Sequence, residues 1–168
     1  PAMAYLILVS VIWAFSFPLI KGTLADLDPS FVSLARMGLS LIVFLPFLRA
    51  GRLRGVLRLQ LAAVGAVQFG LMYVAYITAY RYLPAHMIVL LTTTTPLFVT
   101  LLNDMFSRRF HRLFLLTAVL AVAAGVVIRY PAQPVGASLA GVVLVQLSNL
   151  AFAFGQLAYK RLAASHGG

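Results

Sequence analysis

Six apolar stretches, each about as long as a membrane-spanning helix, follow one another along the chain. They cover approximately residues 3–20, 30–48, 59–80, 85–106, 113–130 and 139–159. About twenty apolar residues cross the hydrocarbon core as an α-helix, and the gaps between these runs are too short for a soluble domain. Of all residues, 62% are hydrophobic and 10% charged, whereas a soluble domain is roughly half apolar and a quarter charged. The sequence therefore predicts an all-α, polytopic membrane protein with six transmembrane helices.

The basic residues lie in the short gaps, and their distribution predicts the orientation. The side that holds the second gap, the fourth gap and the C-terminal segment has nine: Arg49, Arg52, Arg54, Arg58, Arg108, Arg109, Arg112, Lys160 and Arg161. The other side has three: Lys21, Arg81 and Arg129. Because cytoplasmic loops carry the excess of Lys and Arg, we expect the N-terminus and the second and fourth gaps in the cytoplasm. The net charge of +10 is thereby assigned to topology, and nucleic acid is not an expected partner.

Residues that hold metals or redox cofactors are scarce. The chain has no cysteine, which excludes disulfides, iron–sulfur clusters and thiolate zinc sites. His86, His111 and His166 are far apart in the sequence and form no helical pair of ligands. We predict no cofactor, no metal and no catalytic residues. An intramembrane enzyme is a disfavoured alternative, because neither a serine near a buried histidine nor a His-Glu-x-x-His motif is apparent.

A polar, proline-containing segment interrupts the fourth run: Leu90-Leu91-Thr92-Thr93-Thr94-Thr95-Pro96-Leu97-Phe98. Because proline has no amide hydrogen, the carbonyl of Thr92 loses its helical partner, and a neighbouring threonine hydroxyl can replace it. Successive residues turn by about 100° around a helix, so Thr92 and Thr95 share a face whereas Thr93 and Thr94 diverge. We predict a helix that is weakened midway and that presents Thr92 and Thr95 to a cavity.

Polar residues also recur at helical spacing on one face of the sixth run. They are Gln146, Asn149, Gln156 and Lys160, with Ala153 between the second and the third. Three amides on one face of a membrane helix should not face lipid. They either line a water-filled cavity or form hydrogen bonds with other helices, and the sequence leaves both readings open.

The first and sixth runs share a weak internal echo. Trp13-Ala14-Phe15-Ser16, followed by Lys21, is echoed 139 residues later by Phe152-Ala153-Phe154-Gly155, followed by Lys160. The same offset pairs Ser10 with Asn149. Five helices precede the sixth, and an odd number inverts the next copy in the membrane. Inverted repeats of this kind are common in transporters, with the binding site at the repeat interface near the midplane.

Motifs that are spread along the chain carry a family resemblance. They are Trp13-Ala14-Phe15-Ser16-Phe17-Pro18 with Lys21, Arg36, Tyr80-Arg81-Tyr82-Leu83-Pro84-Ala85, Thr95-Pro96-Leu97-Phe98, Ala124-Gly125-Val126-Val127-Ile128 and Tyr159-Lys160-Arg161-Leu162. In these the chain resembles EamA-type proteins of the drug/metabolite transporter superfamily. It departs from them at Ser107-Arg108-Arg109-Phe110, where a glutamate is frequent, and at Phe152, where a tryptophan is usual.

The resemblance implies a multi-pass protein of the cell inner membrane, with ten helices in two inverted five-helix repeats. Residues 1–131 would be the first repeat, 132–138 the inter-repeat loop and 139–168 the first helix of the second repeat, so we expect a piece of a longer protein. The implied function is the export or exchange of small metabolites (amino acids, amines or carboxylates) by alternating access, with the lipid bilayer and a small-molecule substrate as partners. A non-transporting membrane subunit or assembly factor is the alternative. Substrate, coupling ion and oligomeric state stay open.

Two residues of the second and third runs complete the predicted site. Tyr76 can stack on an apolar substrate and offer its hydroxyl, whereas Tyr80 and Tyr82 are expected in the interfacial belt. Arg36, about 10 Å into the second helix, either contacts an anion or snorkels to headgroups. The predicted cavity lining is Ser10, Trp13, Tyr76, Thr92, Thr95, Asn149 and Gln156, with Arg36 as the candidate anion contact.

Overall fold

The computed structural model describes residues 2–24, 26–47, 55–108, 110, 112–129 and 138–166, with the side chains of residues 2, 121–122, 124–129 and 166 outside the description. Within these ranges the chain is helical and has no β-strand. The α-helices are α1 (Ala2–Leu19), α2 (Pro29–Phe44), α3 (Gly55–Gly65), α4 (Met72–Ala79), α5 (Ala85–Thr92), α6 (Thr95–Ser107), α7 (Arg112–Arg129) and α8 (Leu139–His166).

In the part of the chain that the structure describes, five helical spans are long and apolar enough to cross a membrane. They are Met3–Leu24, Pro29–Phe47, Gly55–Ala79, Ala85–Ser107 and Leu139–Ser165. These coincide with the first, second, third, fourth and sixth apolar runs, which confirms an all-α polytopic membrane protein. The fifth run lies in α7, where several side chains are outside the described part, so the count of six spans stays a prediction.

Local sequence determines the start of α2 and the hairpin between α4 and α5. The Asp28 carboxylate accepts hydrogen bonds from the amides of Ser30 and Phe31 at 2.9 and 3.0 Å. Pro29 takes the first helical position, where a missing amide hydrogen costs no helical bond. Between α4 and α5, the carbonyl of Ala79 accepts from two amides of the turn at 2.9 and 3.0 Å. The short turn makes these two helices antiparallel neighbours.

Two spans contain π-helical segments, which the sequence did not indicate. Ile20–Leu24 continues α1, and Ala66–Leu71 joins α3 to α4. Single π-helical turns inside α-helices are rare and frequently occur at functional sites. The second segment packs against α8, so it lies at the centre of the bundle.

The last helix, α8, is the most enclosed element of the bundle. It contacts α3, α4, α5, α6 and the π-helical segment between α3 and α4. Of its apolar span 39% is buried, compared with 6–11% of the other four spans. The outer helices therefore expose most of their apolar side chains, which suits contact with lipid, whereas α8 is positioned to organise a site.

The apolar core lies at the hairpin end of the bundle. Its buried members are Ile20, Val32, Ile77, Ala79, Tyr80, Leu83, Ile88 and Val145. Tyr80 is the largest fully buried side chain, so the expectation that it belongs to the interfacial belt is wrong. The physical reason is that the π-helical end of α1 covers the hairpin, with the Lys21 ammonium group donating to the Tyr80 carbonyl at 2.5 Å.

Candidate functional site

The threonine–proline segment splits the fourth span into two helices. α5 ends at Thr92 and α6 begins at Thr95. The carbonyl that Pro96 leaves without an amide partner is that of Thr92, and the Thr95 hydroxyl donates to it at 2.7 Å. The prediction of a helix weakened at the proline, with a threonine replacing the lost bond, is confirmed. The interruption goes further than predicted, because Thr93 and Thr94 form a turn between separate helices.

Each of the four threonine hydroxyls lies 2.6–2.7 Å from the backbone carbonyl three residues earlier. A hydroxyl has one hydrogen to donate and two lone pairs that accept. The hydroxyls of Thr92 and Thr95 therefore use their hydrogens within their own segment. What both still offer to a ligand is an acceptor oxygen.

Thr94 is the threonine that reaches a neighbouring helix. Its hydroxyl oxygen lies 2.9 Å from the Gln146 side-chain oxygen and accepts from the Asn149 amide at 3.1 Å. The same amide donates to the Leu91 carbonyl at 2.9 Å, and Asn149 is only 4% exposed. We call Thr94, Gln146, Asn149 and the Leu91 carbonyl the polar junction. It joins the broken fourth span to the centre of α8.

Two of the three α8 amides take part in the polar junction. Gln146 and Asn149 bind another helix rather than facing lipid. In hydrocarbon an unpaired amide is costly, so this pairing fixes the register of α8 against the break. A contact between Asn149 and a substrate is still a prediction.

We expect Thr94→Val and Asn149→Leu to be energetically coupled. Interhelical polar bonds in membranes contribute roughly 0.6–2 kcal/mol, so a double-mutant cycle on the free energy of unfolding in mixed micelles should give a coupling of about that size. Thr78→Val is the matched control, because the Thr78 hydroxyl donates to the Val74 carbonyl of its own helix. Additive costs for Thr94→Val and Asn149→Leu would contradict the polar junction.

An aromatic cluster of Phe17, Tyr76 and Tyr80 lies near the hairpin between α4 and α5. The hydroxyls of Tyr76 and Tyr80 are 2.7 Å apart, and their rings meet nearly edge to face with centroids 5.2 Å apart. Phe17 of α1 approaches Tyr76 at 6.4 Å. Such edge-on contacts stabilise aromatic pairs beyond their burial. The Tyr76 hydroxyl, which was predicted to contact a substrate, is therefore already hydrogen-bonded to the Tyr80 hydroxyl.

Arg36 lies beside this cluster and bridges α2 to α4. Its guanidinium donates to the Tyr73 hydroxyl at 3.3 Å, and its central carbon is 4.8 Å from the centre of the Tyr73 ring. Cation–π contacts of this kind contribute about 0.5–2 kcal/mol. A guanidinium carries five donors, so this contact does not exhaust its capacity for an anion. The predicted anion contact stays a prediction.

The remaining predicted site residues lie on exposed surfaces. The Ser10 hydroxyl donates to the Leu6 carbonyl of its own helix at 2.8 Å, Trp13 is 61% exposed, and Gln156 is exposed as well. Within the described residues, the structure thus joins Asn149 to the threonine segment but leaves these three apart from it. In the same part of the chain, no three acidic or histidine side chains could hold a metal ion.

The close approach of Gln68 to Gly155 was not predicted from the sequence. A Cβ at this position would overlap the Cβ of Gln68, and would lie 2.6 Å from its Cγ. Gly155 therefore lets α8 press against the π-helical segment. The only sequence signal was the small residue that ends the Phe152-Ala153-Phe154-Gly155 echo, and the π-helical partner was not visible in the sequence.

The sequence of this helical bundle matches a known protein family. The model of the EamA-like transporter family matches residues 1–130. The chain belongs to the EamA-like transporter family. This confirms the resemblance that the sequence motifs indicated.

Curated relatives of this EamA-like chain carry transporter names. The "Biotin transporter" of Salmonella typhimurium and that of Escherichia coli are each 43% identical over 163 residues, which cover 95% of this chain and 54% of the relative. The "Probable biotin transporter" of Pseudomonas aeruginosa is 39% identical over 165 residues, covering 98% and 57%. The chain spans about half the length of these relatives. No solved structure matches it.

Proposed function

We propose that the chain is the first part of a biotin transporter of the bacterial inner membrane. The observation that carries this proposal is the 39–43% identity, over almost the whole chain, to proteins named as biotin transporters. Biotin is a carboxylate, and carboxylates are among the substrate classes that the sequence predicted. The direction of transport, export or exchange, is still a prediction from the sequence.

The break between α5 and α6 supports transport by alternating access. Secondary transporters bind substrates near the midplane, where interrupted helices expose backbone and side-chain polar groups. The oxygens of Thr92 and Thr95 can accept hydrogen bonds, because their hydrogens are donated to backbone carbonyls. Such acceptors suit the two N–H groups of the biotin ureido ring. The proposed lining is Ser10, Trp13, Tyr76, Thr92, Thr95, Asn149 and Gln156, with Arg36 as the anion contact.

The proposal includes the architecture and orientation that the sequence predicts. Residues 1–131 form the first repeat, 132–138 the loop and 139–168 the first helix of an inverted second repeat. The N-terminus and the arginine-rich gaps are cytoplasmic, following the distribution of basic residues. The chain contributes no catalytic step and changes no bond of the substrate.

Cells that neither make nor take up biotin test this proposal. Expression of the full-length gene product should raise the flux of labelled biotin across the membrane, measured both as uptake and as efflux from preloaded cells, at least tenfold over the empty vector in at least one direction. Excess unlabelled biotin on the side from which the label leaves should abolish the rise. Efflux from preloaded cells gives the direction. Uptake and efflux that both equal those of the vector control, with the protein present in the membrane, would refute the proposal.

A further inference from the structure

A polar cleft lies between α6, α7 and α8. Its volume is about 350 Å³, which is within the usual range of small-molecule sites. Thr100, Asn103, Thr117 and Lys160 are its polar lining residues. None of them belongs to the polar junction or to the aromatic cluster, and the cleft meets the threonine–proline segment at Pro96.

The cleft has one positive charge and no negative one among its lining residues. Lys160 is the charged residue, and apolar walls come from residues such as Phe114 and Leu157. Among the described residues, the side chains of Lys160, Asn103 and Thr100 form no hydrogen bond, and all three carry N–H or O–H donors. The cleft therefore combines available donors, one cation and an apolar wall.

The neighbouring cation makes a different contact. Arg161 places its guanidinium 4.7 Å from the centre of the Phe106 ring, and it does not line the cleft. The two adjacent basic residues on α8 are thus distinguished by their surroundings. A role in membrane orientation would be shared by both, whereas a role in the cleft belongs to Lys160.

We propose that this cleft binds the carboxylate group of an apolar monocarboxylate as it enters or leaves the transport pathway, an inference that rests on the proposed function only for the identity of the acid. The Lys160 ammonium pairs with the carboxylate, while Asn103 and Thr100 donate hydrogen bonds to its oxygens. Hydrogen bonds to an ionised acceptor are about twice as strong as neutral ones. The apolar wall holds the body of the acid.

A single ammonium group favours a monocarboxylate over a phosphate. A carboxylate carries one negative charge, which one lysine neutralises, whereas phosphate groups are typically held by several donors and by the forked guanidinium of arginine. Thr117 adds an acceptor rather than a donor, because its hydroxyl donates to the Phe114 carbonyl at 2.9 Å. A protonated acid or an amide would lose the charge-assisted bond.

The test compares acids with their neutral primary amides. Binding of labelled biotin and of a panel of apolar monocarboxylates is measured on the purified full-length protein, alongside the corresponding amides. We expect the wild type to bind each acid at least tenfold more tightly than its amide. In an Arg36→Gln background, which removes the candidate anion contact of the proposed transport site, Lys160→Gln should reduce that preference to less than twofold. Lys160→Arg, which keeps the charge, should retain most of it, and Arg161→Gln should leave it unchanged.

The outcomes separate this inference from the proposed function. Biotin binding in which Lys160→Gln keeps the preference for the acid overturns the cleft and leaves biotin transport standing. A Lys160-dependent preference for other acids, without biotin binding, supports the cleft and refutes the biotin proposal. Amide binding by Lys160→Gln reports that it is folded. If that variant does not fold, Asn103→Leu is used instead. It should bind the acid several-fold more weakly than the wild type does, and an unchanged affinity would overturn the inference.

Discussion

Gly155→Leu is expected to remove most of the folded protein from the membrane. Even the first carbon of a side chain at this position would overlap the Cβ of Gln68, which is bonded directly to the backbone of the neighbouring helix. Overpacking a tight contact typically costs about 1–3 kcal/mol and occasionally more, and a leucine adds three further carbons. Total stabilities are only about 5–15 kcal/mol. Size-exclusion profiles and melting temperatures of the solubilised protein measure the loss.

Gly65→Leu is the matched control for this prediction. It introduces the same side chain into the helix that precedes Gln68, at a position where a Cβ would meet nothing within 4 Å. A second comparison uses Gly155→Ala, whose cost should fall when Gln68→Gly removes the clashing atoms. Equal stability of the Gly155→Leu and Gly65→Leu variants would show that α8 does not press against this segment.

Tyr80→Ala is expected to have the second-largest effect on stability. The Tyr80 side chain is 0% exposed and lies within the core at the hairpin. Replacing a buried aromatic ring by alanine costs about 3–5 kcal/mol, from lost burial and the remaining cavity. Tyr80→Phe keeps the ring and removes only the hydroxyl bond to Tyr76, which is worth about 0.5–1.5 kcal/mol. Unfolding in mixed micelles gives both free energies.

Tyr82→Ala supplies the control, because this neighbouring ring is 47% exposed. An exposed substitution usually changes the free energy of unfolding by less than about 0.5 kcal/mol. A free-energy cost of Tyr80→Ala no larger than that of Tyr82→Ala would contradict the hairpin core. A large cost for Tyr80→Phe alone would instead place the main stabilisation in the Tyr76–Tyr80 hydrogen bond.

The features that local sequence determines were predictable. Apolar length gave the five confirmed spans, because the thickness of the bilayer sets how many residues a helix needs. The Asp28-Pro29 start of α2 depends on a cap within four residues. The break before Pro96 depends on a missing amide hydrogen. Each of these is decided by neighbours in the chain.

The features that depend on helix packing were not predictable in the same way. The choice of Thr92 and Thr95 assumed one continuous helix with about 100° per residue. The segment instead forms a turn with amide bonds three residues back at Thr93 and Thr94, which winds more tightly and directs Thr94 to α8. The burial of Tyr80 and the contact of Gly155 with Gln68 likewise depend on helices that are distant in the sequence.

Transport by the purified full-length protein in liposomes tests the central claim most directly. Labelled biotin added outside the vesicles should accumulate inside with time. Its rate of entry should saturate with concentration, and entry should stop when unlabelled biotin is added outside in excess. Vesicles with no protein give the background. Accumulation above that background is the predicted result. Background-level biotin flux in both directions, with correctly folded protein in the membrane, would contradict the account.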